Sequence, residues 1–196
     1  TKKIKNKKRL RLTMKKALKY LAGLAFCNFY RILKVFPNND PVMGFALPFA
    51  RQGKWWHAIL FPMLAMISFD FIVGRVGVWT VGTALAYGFV GLLAHSYFKG
   101  KSRVGFGGYA KGSIMGVLVF DFVTGPVMSS LMFGMPFAMA FAGQIPFTLM
   151  HLASATALVL VLAPVLDPVL RAEVHETISK YLNKAFLLFS EQTWRM

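Results

Sequence analysis

The sequence predicts an all-α integral membrane protein: a six-transmembrane-helix bundle with a basic N-terminal tail and a C-terminal amphipathic helix. Three observations predict it. Hydrophobic residues make up 56% of the chain and charged residues only 15%, against about 25% charged in a soluble domain. Apolar runs of about 20 residues recur without charge, enough to cross a hydrocarbon core of about 30 Å. The net charge of +16 is concentrated at one end, with ten of the 23 Lys and Arg inside residues 1–19. A basic block beside an apolar span reads as a cytoplasmic anchor for anionic lipid headgroups. A nucleic-acid arm is the rival reading, and no base-reading motif accompanies it.

Residues 1–19 form the basic tail, 20–166 the membrane domain and 167–196 the amphipathic helix. The first span covers Leu18 to Phe36. Because Arg31 and Lys34 lie near its far end, it either crosses with those side chains snorkelling or lies in the interface. Pro37-Asn38-Asn39-Asp40-Pro41 stops it, since Pro cannot continue a helix and Asn and Asp favour turns. The apolar insert from Val42 to Phe49 is too short to span and too apolar for a solvated loop. Such a segment survives at membrane depth when packed on protein or lining a cavity.

The second span, Trp55 to Val73, opens on an interfacial tryptophan pair. Gly74-Arg75 turns the chain into the third, Val76 to Phe98, whose Ala84, Gly88, Gly91 and Ala94 allow close helix packing. A basic glycine-rich loop, 99–111, leads to the fourth, which ends at Gly125. The fifth, Pro126 to Ala142, is broken by Gly143-Gln144-Ile145-Pro146, and the sixth ends at Leu166. Beyond it, Val174, Ile178, Tyr181, Leu182 and Phe186 share one helical face. Lysine and arginine distribution favours cytoplasmic termini, with the 99–111 loop dissenting.

One heptapeptide pattern occurs twice. Ser68-Phe69-Asp70-Phe71-Ile72-Val73-Gly74 returns 51 positions later as Val119-Phe120-Asp121-Phe122-Val123-Thr124-Gly125, and these aspartates are the only acids between Trp55 and Leu166. An intramembrane carboxylate is costly and by default functional. Repetition argues instead for a shared structural or coupling role, with both acids about a turn from the cytoplasmic face. Ligand chemistry is expected at the opposite end, where the Asn38-Asn39-Asp40 turn and the insert after it, with Gly44, meet Gln144, Thr148 and His151. An apolar cavity with a few convergent polar groups is what a small-molecule site requires.

Enzymatic chemistry has no visible support. The histidines are scattered, no metal-ligand spacing occurs, and Gly105-Phe106-Gly107-Gly108 matches a phosphate loop only in composition. No cofactor and no catalytic residue is expected. Uphill transport would draw its energy from a partner or an ion gradient.

Several motifs resemble those of the substrate-binding S components of energy-coupling factor (ECF) transporters and their uncharacterised relatives. They are Pro37-Asn38-Asn39-Asp40-Pro41, Gly44, Leu47-Pro48-Phe49, Asp70, Gly77-Val78-Trp79-Thr80 and Gly143-Gln144-Ile145-Pro146-Phe147-Thr148. The resemblance implies capture of a vitamin-like micronutrient from outside, with a coupling membrane subunit and two ATPases driving release. Small residues four apart in the first span, used by such proteins for docking, reduce here to Ala22-Gly23 and Ala25. The alternative is a self-sufficient ion- or proton-coupled transporter using Asp70 and Asp121.

Overall fold

A computed structural model describes residues 2–34 and 40–193, with the backbone alone for residues 2–13, 15, 16, 185 and 188–193. Asn38 and Asn39 lie outside the described residues. The described chain is helical: α1 (Lys2–Leu33), α2 (Val42–Gln52), α3 (Trp55–Ile72), α4 (Val78–Phe98), α5 (Phe106–Phe122), a π-helical turn (Val123–Val127), α6 (Met128–Phe133), α7 (Phe137–Leu166) and α8 (Pro168–Thr193). Four helices are long and apolar enough to cross a membrane: Trp55–Ile72, Val78–Phe98, Phe106–Phe133 and Phe137–Leu166.

The short apolar insert sets the direction of everything after it. It is the helix α2, buried from Val42 to Ala50, and it packs against α3, α4, α5 and α7. Its first end sits beside Asp40. Its last end lies where Lys19 bonds Gln52 Oε1 (3.0 Å) and the Leu166 carbonyl (2.9 Å). The chain therefore runs out along α1, returns inside the bundle along α2, and starts α3 beside Tyr20, whose ring is 5.2 Å from His57. A loop at this position would have left α3 pointing the other way. This return places the basic 99–111 loop at the same end as Lys19, and the Arg75 turn at the opposite end.

Two expected breaks are absent, and one unexpected turn replaces them. After Gly74, whose φ is +68°, Arg75 N–H bonds the Asp70 carbonyl (2.9 Å) and Gly74 N–H bonds Phe71 (3.3 Å). That pair of bonds is the Schellman closure, with glycine in the left-handed position. At the second copy the residue after glycine is Pro126, which has no N–H to close the same motif. The helix instead widens into the π-helical turn and continues to Phe133. The reversal comes at Gly134, φ +64°, followed by Pro136, which starts α7. Pro146 and Pro164 lie within α7, as prolines in membrane helices do when neighbours satisfy the freed carbonyls. The expected fourth, fifth and sixth spans are thus two long helices of 28 and 30 residues, about 42 and 45 Å long at 1.5 Å per residue.

Along their middle, α3 and α4 are joined by close approach. A Cβ on Gly91 would fall 1.9 Å from the Ala58 carbonyl oxygen, and one on Gly88 would fall 2.8 Å from Met63 Sδ. The basic end is locked by a buried ion pair. Arg51 bonds both Asp167 oxygens (2.7 and 2.6 Å) and the Ser102 carbonyl (2.8 Å). Tyr109 donates to Asp167 Oδ2 (2.8 Å), and Asp167 Oδ1 accepts from Val169 N–H at the start of α8 (3.0 Å). Leu170 and Val174 then tie α8 to the core, while Ile178, Tyr181, Leu182 and Phe186 are exposed.

Candidate functional site

At the end opposite that ion pair, α1, α3, α4, α5, the π-helical turn and α7 enclose a cavity of about 750 Å³. Its size falls within the range of small-molecule sites. Asp40, Asp121 and His151 form one flank of it. His151, buried at mid-length in α7, bridges two carboxyl groups: Nδ1 lies 2.8 Å from Asp121 Oδ1 and Nε2 lies 3.2 Å from Asp40 Oδ2. The three groups form one hydrogen-bonded chain in which each ring nitrogen faces a carboxyl oxygen.

Each member is held from behind. Asp40 Oδ1 accepts from Val42 N–H (2.9 Å), which fixes the carboxylate at the entrance to α2. Phe120, one residue before Asp121, packs its ring edge-on to His151 at 5.9 Å and against Tyr87 at 4.2 Å. The π-helical turn begins at Val123, two residues after Asp121, and such turns within a helix occur often at functional sites. On the cavity side of this turn, Gly125 leaves room for Gln144, since a Cβ there would fall 2.5 Å from Gln144 Oε1.

The other lining groups divide into cations and rings. Arg31 and Lys34 come from the end of α1. The Arg31 guanidinium lies over the Phe69 ring at 4.0 Å, with Nη1 3.2 Å from Met66 Sδ. Tyr30, Phe69, Trp79, Tyr87, Phe120 and Phe147 supply its aromatic lining. Thr83 and Thr124 also line it, but each hydroxyl bonds a carbonyl of its own helix. Of the buried side-chain polar atoms on the described lining residues, two have no hydrogen-bond partner: Asp121 Oδ2 and the Tyr87 hydroxyl.

The expected residues are distributed as follows. Gln144 and His151 line the cavity. Thr148 accepts a long bond from Gln144 (3.5 Å) and lines a separate apolar groove of about 680 Å³ between α4, α5 and α7. Gly44 lies away from the cavity, packed against α7, where a Cβ would meet Leu162 Cδ1 at 2.7 Å. Asp121, expected at the end remote from the ligand residues, bonds His151 directly. Asp70 accepts instead from Thr80 Oγ1 (2.6 Å) at the α3–α4 turn. Its placement agrees with a helix-end acid bonded to a neighbouring span.

Tyr87, Trp79 and Thr83 line the cavity without having been expected there, whereas Asp40 belongs to the turn expected to meet His151. For Asp121 and Asp40 a signal existed, the high cost of an acid at membrane depth. For Tyr87 the only signal was a hydroxyl in an apolar run. Among the described residues no group of three His, Cys, Asp or Glu could hold a metal ion, and both His151 nitrogens are already engaged by carboxylates. No family model, curated protein or solved structure matches the chain.

Proposed function

We propose that this protein is the substrate-binding membrane subunit of a micronutrient importer, capturing a vitamin-like small molecule on the extracytoplasmic side. The observation that carries this reading is the polar cavity itself. It is large, lined by aromatic rings, and furnished with an Asp–His–Asp trio, of which Asp121 and His151 are buried and Asp40 half-buried, at one end of a helical bundle.

Charge distribution supports the orientation. The end that holds Lys19, Arg51 and the Lys99–Lys111 loop is rich in cations, and the cavity end offers Arg31, Lys34 and Arg75. By the positive-inside rule the first end is cytoplasmic, together with both termini, and the cavity opens outward. If the apolar half of α1 and the short α2 are each counted as membrane segments, six segments result, with boundaries different from the expected ones. Six segments suit the S-component resemblance, as does the absence of any visible ATPase motif in the sequence. A coupling membrane subunit and two ATPases would supply the movement that releases ligand inward, and anionic headgroups would hold the basic segment.

A second reading has its own support. His151 between two carboxylates is a chain along which a proton could move, so a self-sufficient proton-coupled transporter would use Asp40, His151 and Asp121. Asp70, bonded to Thr80 away from the trio, would take no part in it.

Two measurements separate these readings. Purification from native membranes is expected to recover a second membrane protein, ATPases and a bound small molecule identifiable by mass spectrometry. Uptake into cells lacking every such ATPase module is expected to be absent. Uptake that persists there and collapses with the proton gradient would transfer the assignment to the second reading.

A further inference from the structure

We infer that the cavity takes a zwitterionic molecule, with a cationic nitrogen held by Asp121 and Tyr87 and an acidic group near Arg31 and Lys34. This inference rests on reading the cavity as a small-molecule site and specifies the ligand's chemistry.

The cavity is polarised from floor to rim. Asp121, His151 and Tyr87 are buried, Arg31 is half-buried and Lys34 is exposed. The floor carries the Asp121 carboxyl group against the His151 ring, with Asp40 half-buried beside them, and the rim carries two cations, Arg31 and Lys34. A molecule with both signs lowers its energy by placing its cation deep and its acid shallow. The reverse orientation would set like charges together in a medium of low dielectric.

The unmatched atoms point the same way. Asp121 Oδ1 is committed to His151, and Oδ2 is buried without a partner, as is the Tyr87 hydroxyl. An ionised carboxylate only accepts, so Oδ2 calls for a donor. Leaving it unmatched at membrane depth is costly, because neither water nor lipid supplies the missing donor. A protonated amine or ring N–H supplies that donor, and a charge-assisted bond is about twice as strong as a neutral one. Thr83 and Thr124 do not supply that donor, because each gives its hydroxyl proton to a helix carbonyl. Between the two ends the walls are rings, which favour a flat, apolar middle. At the rim, Arg31 and Lys34 match a carboxylate or phosphate.

The test uses the full chain in lipid nanodiscs and three matched probes. They are 4′-(aminomethyl)biphenyl-4-carboxylate, the same molecule without its carboxylate, and the same molecule without its amine. Titration calorimetry should rank the zwitterion first, at least about tenfold tighter than the carboxylate-only probe. Asp121→Asn, nearly isosteric, should weaken both amine-bearing probes by about tenfold or more and leave the carboxylate-only probe within about twofold. Tyr87→Phe, which removes only the hydroxyl, should weaken the same two probes by a smaller factor.

Equal binding of all three probes, or unchanged amine affinity in both variants, would overturn the inference. If no probe binds while protein from native membranes still carries a small molecule, the zwitterion assignment fails and the importer reading stands. If no probe binds and no molecule co-purifies, both fail.

Discussion

The two Phe-Asp-Phe copies keep their phenylalanines in matching places and put their aspartates to different uses. Phe69 and Phe120 both line the cavity, and Phe71 and Phe122 are both exposed on the outer surface of the bundle. Asp70 is half-buried and bonds Thr80 across a tight turn. Asp121 is buried and bonds the imidazole of His151. What separates the copies is the residue after the glycine. Arg75 has an N–H, closes the helix at Gly74 and leaves Asp70 at a helix end. Pro126 has none, so the helix runs on and Asp121 stays inside the bundle. One backbone donor therefore decides whether the same local sequence makes a cap or a cavity floor.

The largest expected difference is between the aspartates. Asp121→Ala removes the carboxyl group bonded to the buried His151 ring and should cost about 1.5–3 kcal/mol, with ligand binding lost. Asp70→Ala breaks a half-exposed bond and should cost about 1 kcal/mol, with ligand affinity unchanged. Thermal unfolding and ligand titration on the purified variants check both halves. Equal losses of affinity would show that the copies are functional twins after all.

The glycines should differ in kind rather than in size. Gly74→Ala forces a Cβ into the left-handed region, which costs about 1–2 kcal/mol, and nothing lies within 4 Å of the new atom. Its effect should appear in stability alone. Gly125 is not left-handed, but a Cβ there strikes Gln144 at Oε1, Cδ and Cγ. Gln144 has rotamers to escape into, so Gly125→Ala should cost under about 1 kcal/mol while lowering ligand affinity. The reverse pattern would mean that Gly125, not Gly74, governs the turn.

Much of the architecture was legible from the chain, and the errors have physical causes. Composition and run length were enough for a helical membrane protein, and the spacing of Ala84, Gly88 and Gly91 announced the close α3–α4 contact. The duplicated heptapeptide misled, because a Gly that ends one helix was taken to end another. The missing donor of Pro126 was visible, yet its consequence depends on the apolar residues that follow and on Gln144 packing over Gly125. The insert 42–49 was recognised as protein-packed. Its direction was not, since no local signal says that eleven residues return through a core. With α2 unplaced, α3 and α4 were read in the opposite sense, and both aspartates were set far from His151. Long-range pairs such as Arg51 with Asp167, 116 positions apart, leave no periodic trace at all.

The smallest expected effect is the one the copies share. Phe71 and Phe122 face outward, 67% and 47% exposed, where lipid tails are as apolar as any side chain and no hydrophobic gain depends on the ring. Phe71→Leu and Phe122→Leu should each change stability by less than about 0.5 kcal/mol and leave ligand affinity unaltered. Such near-neutral results would place the functional difference between the copies in the aspartates and the residue after glycine. A loss of affinity in Phe122→Leu alone would instead extend the site outward, from the cavity into the apolar groove that Phe122 lines with Thr148. Because Gln144 lines both spaces, that outcome would make it the partition between them, and Gln144→Ala would then be expected to open one into the other.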